Sequence, residues 1–534
     1  MDLSHALSVS VKRSHWERWA QLRWLALLLL LAAAVRLAIA FWLVDVDGMW
    51  SIDGGTYLIN RDAWLGIQHD VVMHARPPLA PGIVLYPFTT VLGDNFGLRA
   101  WSIAGSLLLI GASYYMARGF FDHGRALLVA AMVAADFWLL ENMGAGALVL
   151  YALALLCVAV RGLLDWLYGA TSHLRLVLMA VALGLLPYVN QTVAGLALLT
   201  LPALFCLVLW LRWKEGVGLA GLIPLPVAVG LAAAVVIALP SIQWYLPVAP
   251  GGDTVAFSGA FVRIGPGFFF EWFIAATWAI VLWVAYPLVR SEKWGTVFWA
   301  LLVMMLPLML LYSHDEVVLN FIWRSRYVAS VAGAILVVGI CNKMWPGWLG
   351  GCICLAVSGF VSAFLIVGWG TGLSSFSAFS KHDLSATAWI EQKGDGLPVV
   401  VDGWGRARLV AAMTGSKVYT LRAWNFPHAG YDDLPAAFRL ENGVAFCMMG
   451  WADYLDGAAC ETRNLPNRAY IMVNTEFSEQ EWIPDRHLDV WHAALEHTNA
   501  LPHTKLVWQR GDVYVWEFDT EAAGLHPAAA PSSH

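Results

Sequence analysis

One hydrophilic stretch between apolar walls, residues 44–97, concentrates side chains able to do chemistry: Asp45, Asp47, Asp53, Tyr57, Asp62, His69, Asp70, His74 and Arg76. An ionised carboxylate can take a proton from an attacking hydroxyl, and a guanidinium grips phosphate oxygens with two parallel N–H donors. A base and an arginine at a lipid boundary suit a substrate with a phosphate head and a greasy tail. The run Asp53-Gly-Gly-Thr-Tyr57, leading into Ala63-Trp-Leu65, has an amphipathic pattern, so a short helix lying on the membrane interface is expected there. His74-Ala-Arg76-Pro77-Pro78-Leu79 follows, and its paired prolines stiffen the return towards the membrane. Plainer roles compete with these. Asp53 is also a candidate solvated loop acid or helix N-cap, and Arg76 a candidate for snorkelling to lipid phosphates. His69, Asp70 and His74 resemble a metal set, but ordinary loop residues are their commoner use.

The elements that must position this loop are membrane helices. Of 534 residues, 59% are hydrophobic and 13% charged, against about 25% charged in an average soluble domain. Mean hydropathy is +0.63. Charges are sparse from Trp24 to Trp369 and return to ordinary density from Lys381 to Glu521, so two solvents are implied, lipid and then water. Segments long enough to cross a core about 30 Å thick fall near 24–43, 98–117, 126–143, 146–164, 174–191, 193–212, 218–241, 270–290, 295–312, 327–341 and 348–370. Residues 79–93 are apolar but short and proline-rich, so they read as re-entrant or as a tilted extra helix. A basic stretch (Lys12, Arg13, Arg18, Arg23) precedes a first apolar run that is too long for a signal-peptide core, so an uncleaved first helix is expected. With that end inside, the connections 118–125, 161–175, 212–214, 290–293 and the one around Lys343 are all basic and all inner. The longer loops 44–97, 242–269 and 313–326 then face outward together with the C-terminal region. A net charge of -6 gives no reason to invoke nucleic acid.

After a Gly, Thr, Ser and Phe linker at 370–380, the pattern changes to α/β. Asp383 is positioned to cap a helix running to Lys393. Leu397 to Asp402 reads as a buried strand, about 406–413 as a helix, and 417–421 and 469–473 as strands. Residues 506–508 and 513–518, joined at Arg510-Gly511-Asp512, read as a hairpin. The expected organisation is a transmembrane domain (1–373), an extracytoplasmic α/β domain (380–521) and a disordered tail rich in Ala and Pro (522–534). Of seven cysteines, five (Cys157, Cys206, Cys341, Cys352, Cys354) lie in or beside apolar spans and behave as small hydrophobes. Cys447 and Cys460 are a disulfide pair or two free thiols, depending on the compartment. Most of the 29 tryptophans suit membrane-interface belts.

Three features carry a resemblance to a family. Asp53 with Tyr57 four residues on, then Arg76-Pro-Pro-Leu79, resembles the first-loop pattern of the C-type membrane glycosyltransferases. The nearest likeness is to the dolichyl-phosphate-mannose–protein mannosyltransferases and the bacterial aminoarabinose transferases that modify lipid A. Arg326-Tyr327 is similar to the family's Arg-Tyr at the outer start of a late helix, and Arg36 to an arginine near the end of its first helix. The whole layout matches too: a polytopic α-helical bundle of about eleven to thirteen spans, a long first outer loop and an extracytoplasmic C-terminal domain. The resemblance implies transfer of a sugar from a polyprenyl-phosphate donor to a lipid, polysaccharide or protein acceptor on the outer face, with inversion. It assigns Asp53 as base and Arg76, Arg326, Tyr327 and Tyr57 to the donor phosphate or sugar. Supporting positions are Arg36, Glu141, Asp136, Arg324 and His74, with Arg324 the nearest competitor of Arg326.

The sequence departs from the family pattern in places. Asp53 is followed by Gly54 where relatives often carry Glu, and Arg76 stands where many have Lys. Asp136 and Glu141 are the candidates for a second acid, which leaves the use of a divalent metal open. The short loops and the Ala, Leu and Trp content favour a bacterial inner membrane. A transporter or flippase of a lipid-linked sugar is the alternative, since charges in a membrane cavity fit it as well. Paired halves with matching broken helices, the trace of alternating access, are not visible in the sequence.

Overall fold

Long apolar segments become helices because only intrasegment hydrogen bonds satisfy the backbone in lipid. The computed structural model describes residues 15–43, 54–67, 79–136, 147–167, 172–190, 225–244, 330–339, 379–401, 404–420, 468–474 and 504–519, with isolated residues between them. Asp53, His74, Arg76, Glu141, Arg324, Arg326, Tyr327, Cys447 and Cys460 lie outside the described residues, as do residues 370–378 of the linker and the tail.

In the N-terminal body, α1 (His15–Ala38) runs into a π-helical turn, Ile39–Leu43. It is followed by α2 (Gly54–Trp64), a second π-turn (Leu79–Val84) and α3 (Leu85–Leu92). Then come α4 (Asp94–Ala117), α5 (His123–Ala135), α6 (Ala147–Leu167), α7 (His173–Leu185), α8 (Leu225–Ala238) and α9 (Ser330–Gly339). Three helices among the described residues, Leu22–Trp42, Asp94–Ala117 and Ala147–Trp166, are long and apolar enough to cross a membrane. They differ in surroundings. The α6 span is 89% buried and forms the centre, whereas the α1 span is 17% buried and exposes the apolar side chains of Leu22, Leu27, Leu30 and Leu31. At the α4–α6 contact a Cβ on Gly105 would stand 2.6 Å from the Tyr151 ring, so a small residue sets how closely these helices approach.

One sequence expectation needs correction here. The span at 126–143 is not one helix: α5 ends at Asp136, whose backbone is extended and whose carboxylate accepts from Leu139 N at 3.0 Å to start a new turn. Within the span expected at 218–241, Leu225–Ala238 is helical and continues into a 3-10 turn, Leu239–Trp244. Residues 79–92 are helical, a π-turn leading into α3.

The C-terminal part holds α10 (Lys381–Lys393), β1 (Val399–Val401), α11 (Trp404–Thr414), β2 (Val418–Thr420), β3 (Arg468–Asn474), β4 (Thr504–Arg510) and β5 (Val513–Asp519). The sheet order is β2-β1-β3-β5-β4. β1 pairs in parallel with β2 and β3, while β5 is antiparallel to both β3 and β4. The expected α/β pattern and hairpin are therefore present. The cap of α10 differs from expectation: Ser380 is the N-cap, and Asp383 is its reciprocal partner three residues on.

Asp383 is instead the hub of the domain. Its Oδ1 accepts from Arg406 Nε at 2.8 Å, and its Oδ2 accepts from Ser380 N at 2.8 Å, Ser380 Oγ at 3.0 Å and Asn474 Nδ2 at 2.8 Å. Both charges are fully enclosed, at 0% side-chain exposure. The hub ties α10, α11 and β3 together.

Candidate active site

The first loop is held down on both sides of residue 53. On the N-terminal side, the Trp50 indole donates to Ser102 Oγ and to the Met143 carbonyl, each at 3.1 Å. Trp50 N donates to Asn95 Oδ1 at 2.9 Å, and Asn95 Nδ2 donates to the Gly48 carbonyl at 2.9 Å. Arg99, fully buried in α4, donates to the carbonyls of Gly48 (2.9 Å) and Ala40 and lies 5.1 Å from the Trp50 ring. A buried guanidinium between carbonyls and an aromatic face is a fixed clamp, since moving it exposes its donors to an apolar interior.

On the C-terminal side, α2 is buried along Gly54–Asn60 and at Asp62. The sequence reading expected this helix on the membrane interface; the structure covers Gly54–Asn60 with protein and leaves Ala63 and Trp64 at its end exposed. Tyr57, 1% exposed, meets Trp101 edge-on at 5.2 Å, and Trp101 stacks on Tyr151 at 5.4 Å. Tyr151 Oη donates to the Trp101 carbonyl at 2.7 Å. Arg61 pairs with Asp62 at 2.7 Å and with Asp94 at the start of α4. Only residues 51–53 separate the anchored Trp50 from the buried Gly54, so Asp53 is covalently bracketed by two fixed points.

The remaining candidates fall as follows. Arg36, 1% exposed, does not snorkel: it donates to Ser106 Oγ at 2.6 Å, to the Ala32 carbonyl at 3.2 Å and to the Ala134 carbonyl at 3.0 Å. It braces α1 to α4 and α5, one helical turn along α4 from the Ser102 that receives Trp50. Arg36→Met is expected to destabilise the bundle by about 3 kcal/mol, because it strands Ser106 and the Ala134 carbonyl in the interior. The check is the melting temperature of the full chain in detergent, with Arg36→Lys falling between the two. Asp136 serves as a cap, a structural use of its carboxylate. Among the described residues, no group of three His, Cys, Asp or Glu side chains could hold a metal ion.

Sequence reasoning missed Arg99, Trp50 and Arg408. Arg99 had a readable signal, a charge just inside an apolar span. Trp50 and Arg408 had none, because their partners are distant in sequence. Arg408, on α11, donates to Thr56 Oγ1 on α2.

Beside this contact a cleft of about 780 Å³ opens between the two parts of the chain. Leu58 and Asp94 line its membrane-body wall; Lys381, His382, Met413 and Arg510 line the other. Asp94 shares Arg61 with Asp62, whereas Lys381 and Arg510 form no ion pair among the described residues. The cleft therefore carries an acid on its membrane-body wall and cations on its C-terminal-domain side.

Neither the known family models nor the curated protein sequences match this chain. Solved structures do. The oligosaccharyltransferase of Archaeoglobus fulgidus in the apo form superposes with a TM-score of 0.53 at 12% identity, covering 87% of this chain and 71% of that one. The apo form of ArnT from Cupriavidus metallidurans gives 0.55 at 14% identity, covering 94% and 99%. The same protein bound to undecaprenyl phosphate gives 0.51 at 14%, covering 91% and 97%. The chain thus shares the fold of these solved structures, a helical body with a C-terminal domain.

Proposed function

We propose that this membrane protein is a glycosyltransferase that moves a sugar from a polyprenyl-phosphate donor to an acceptor, with inversion, on the outer face of a bacterial inner membrane. The observation that supports the reading is the anchoring of the chain at Trp50, three residues before position 53, and at Gly54, which opens the buried α2 against the C-terminal domain. A general base needs such fixing, because it must sit within about 3 Å of the proton it removes. Asp53 takes the proton from the acceptor hydroxyl as its oxygen attacks the anomeric carbon. The bond to the donor phosphate breaks, and Arg76 and Arg326, with Tyr327, stabilise the departing polyprenyl phosphate. Tyr57, closed off in the interior, seats α2.

The cleft receives the acceptor, its polar head towards Lys381 and Arg510. The double variant Lys381→Ala/Arg510→Ala is expected to raise the acceptor KM about tenfold, worth about 1.4 kcal/mol, without slowing release of phosphate lipid from the donor alone. Steady-state kinetics at varied acceptor concentration checks it.

The reading itself is tested by incubating purified full-length protein in detergent with a panel of undecaprenyl-phosphate sugars and following release of undecaprenyl phosphate. Consumption of one donor supports transfer. Binding of a donor with no bond cleavage, in the presence of membrane-lipid and glycan acceptors, would favour a transporter of lipid-linked sugar instead.

A further inference from the structure

Helices α2 and α11 touch across 352 positions of sequence, and their approach is closer than side-chain packing permits. A Cβ at Gly55 would stand 2.5 Å from Leu409 N and 2.7 Å from the carbonyl carbon of Arg408. Only glycine admits that proximity. The two helices also exchange side chains. Leu409 of α11 packs in the core of the membrane body with Tyr57, Leu58 and Trp101, while Ile59 of α2 packs in the core of the C-terminal sheet with Ala407, Val410 and Ala411. At the centre, Arg408 (1% exposed) donates through Nη1 to Thr56 Oγ1, and Thr56 is fully buried.

A cation beside the first turn of a helix opposes the positive end of its dipole. Thr56 is the third residue of α2, and Asp53 immediately precedes the helix. A side chain that fixes Thr56 therefore fixes the first turn of α2, which Asp53 directly precedes in sequence.

We propose that Arg408 is a positioning residue for the transfer step: through Thr56 it sets the first turn of α2, and so the aim of the carboxylate at position 53, making the C-terminal domain a working part of the catalytic loop. The proposal rests on Asp53 being the base. A displacement of about 1 Å at a reacting group can cost about 10²-fold in rate, so the effect belongs in kcat.

The test uses full-length protein in detergent and the undecaprenyl-phosphate sugar that wild type consumes. Arg408→Ala is expected to lower kcat about 10²-fold while the donor KM moves less than about threefold. Thr56→Val, which removes only the accepting hydroxyl, should reproduce much of that loss, and the double variant should be no slower than Arg408→Ala. Arg408→Lys should recover about tenfold of the loss, since its single ammonium still reaches Thr56. A loss confined to KM, or losses that multiply in the double variant, would overturn the proposal. A second measurement needs no donor: hydrogen–deuterium exchange of residues 54–64 should accelerate in Arg408→Ala and Thr56→Val while β1, β3 and β5 exchange as in wild type. If wild type consumes no donor, the glycosyltransferase reading fails and the catalytic part of the proposal with it, and exchange decides only whether Arg408 holds the first turn of α2 through Thr56. Unchanged exchange at 54–64 removes that hold as well.

Discussion

Asp53→Asn is expected to lower the rate of sugar transfer about 10³-fold and to leave donor binding within about twofold of wild type. The substitution separates the two uses open to this carboxylate. Position 53 directly precedes Gly54, the first residue of α2, so a capping role is available to it. Asparagine caps a helix as well as aspartate does, so a cap survives the change and the fold keeps its stability. A general base does not survive it, because an amide cannot take the acceptor's proton. Asp53→Ala removes both functions and should add a stability loss of about 1 kcal/mol to the same rate loss. Full activity in Asp53→Asn would exclude it as the base and turn attention to Asp45 and Asp47 on the same loop.

The largest effect on stability is expected at Asp383. Removing one partner of a fully enclosed ion pair leaves the other charge stranded, which costs about 3–5 kcal/mol. Asp383→Ala strands Arg406 and also releases Asn474 and Ser380, so the loss should reach the upper part of that range. Hydrogen–deuterium exchange of β1 and β3 in the full-length protein should rise by orders of magnitude. Asp383→Asn keeps the acceptor oxygen for Ser380 but loses the charge, and it should lie between Ala and wild type. Transfer should fall with the fraction of folded domain, because α11 carries Arg408 and Leu409 onto α2. If both variants exchange like wild type, the hub contributes little and α10 is held by its apolar face alone.

The parts of this architecture that were legible in sequence are those with a local cause. Val399–Val401 and Arg468–Asn474 were legible as strands because central strands covered on both faces read as unbroken apolar runs. The β4–β5 hairpin announced itself through Arg510-Gly511-Asp512, where Gly511 takes φ 55°. The α10 start was located but its cap was misassigned. Ser380-x-x-Asp383 is a capping box, and the acid was read as the cap when it is the reciprocal partner. The α5 break at Asp136 was missed because the apolar composition continues through it; a single cap, not a change in hydropathy, ends the helix.

The candidate site divides in the same way. Its proposed chemistry, resting on acids and an arginine of one loop, could be suggested from sequence because charges are conspicuous in an apolar chain. The burial of α2 was not. Thr56, Asn60 and Asp62 make its pattern amphipathic, which fits a helix on an interface, and nothing local says that a second domain covers the polar side.

By itself the sequence pointed to two solvents, to the three apolar helices long enough to cross a membrane among the described residues, and to side chains on one loop whose types suit moving a proton and holding a phosphate. Those properties follow from hydropathy and side-chain type, which act over a few residues. The tertiary structure alone decided that α11 seats on α2, that Gly55 admits the backbone of residues 408–409, and that Arg408 reaches Thr56. Contacts between residues so far apart leave no periodicity in the chain, so only folding brings them together.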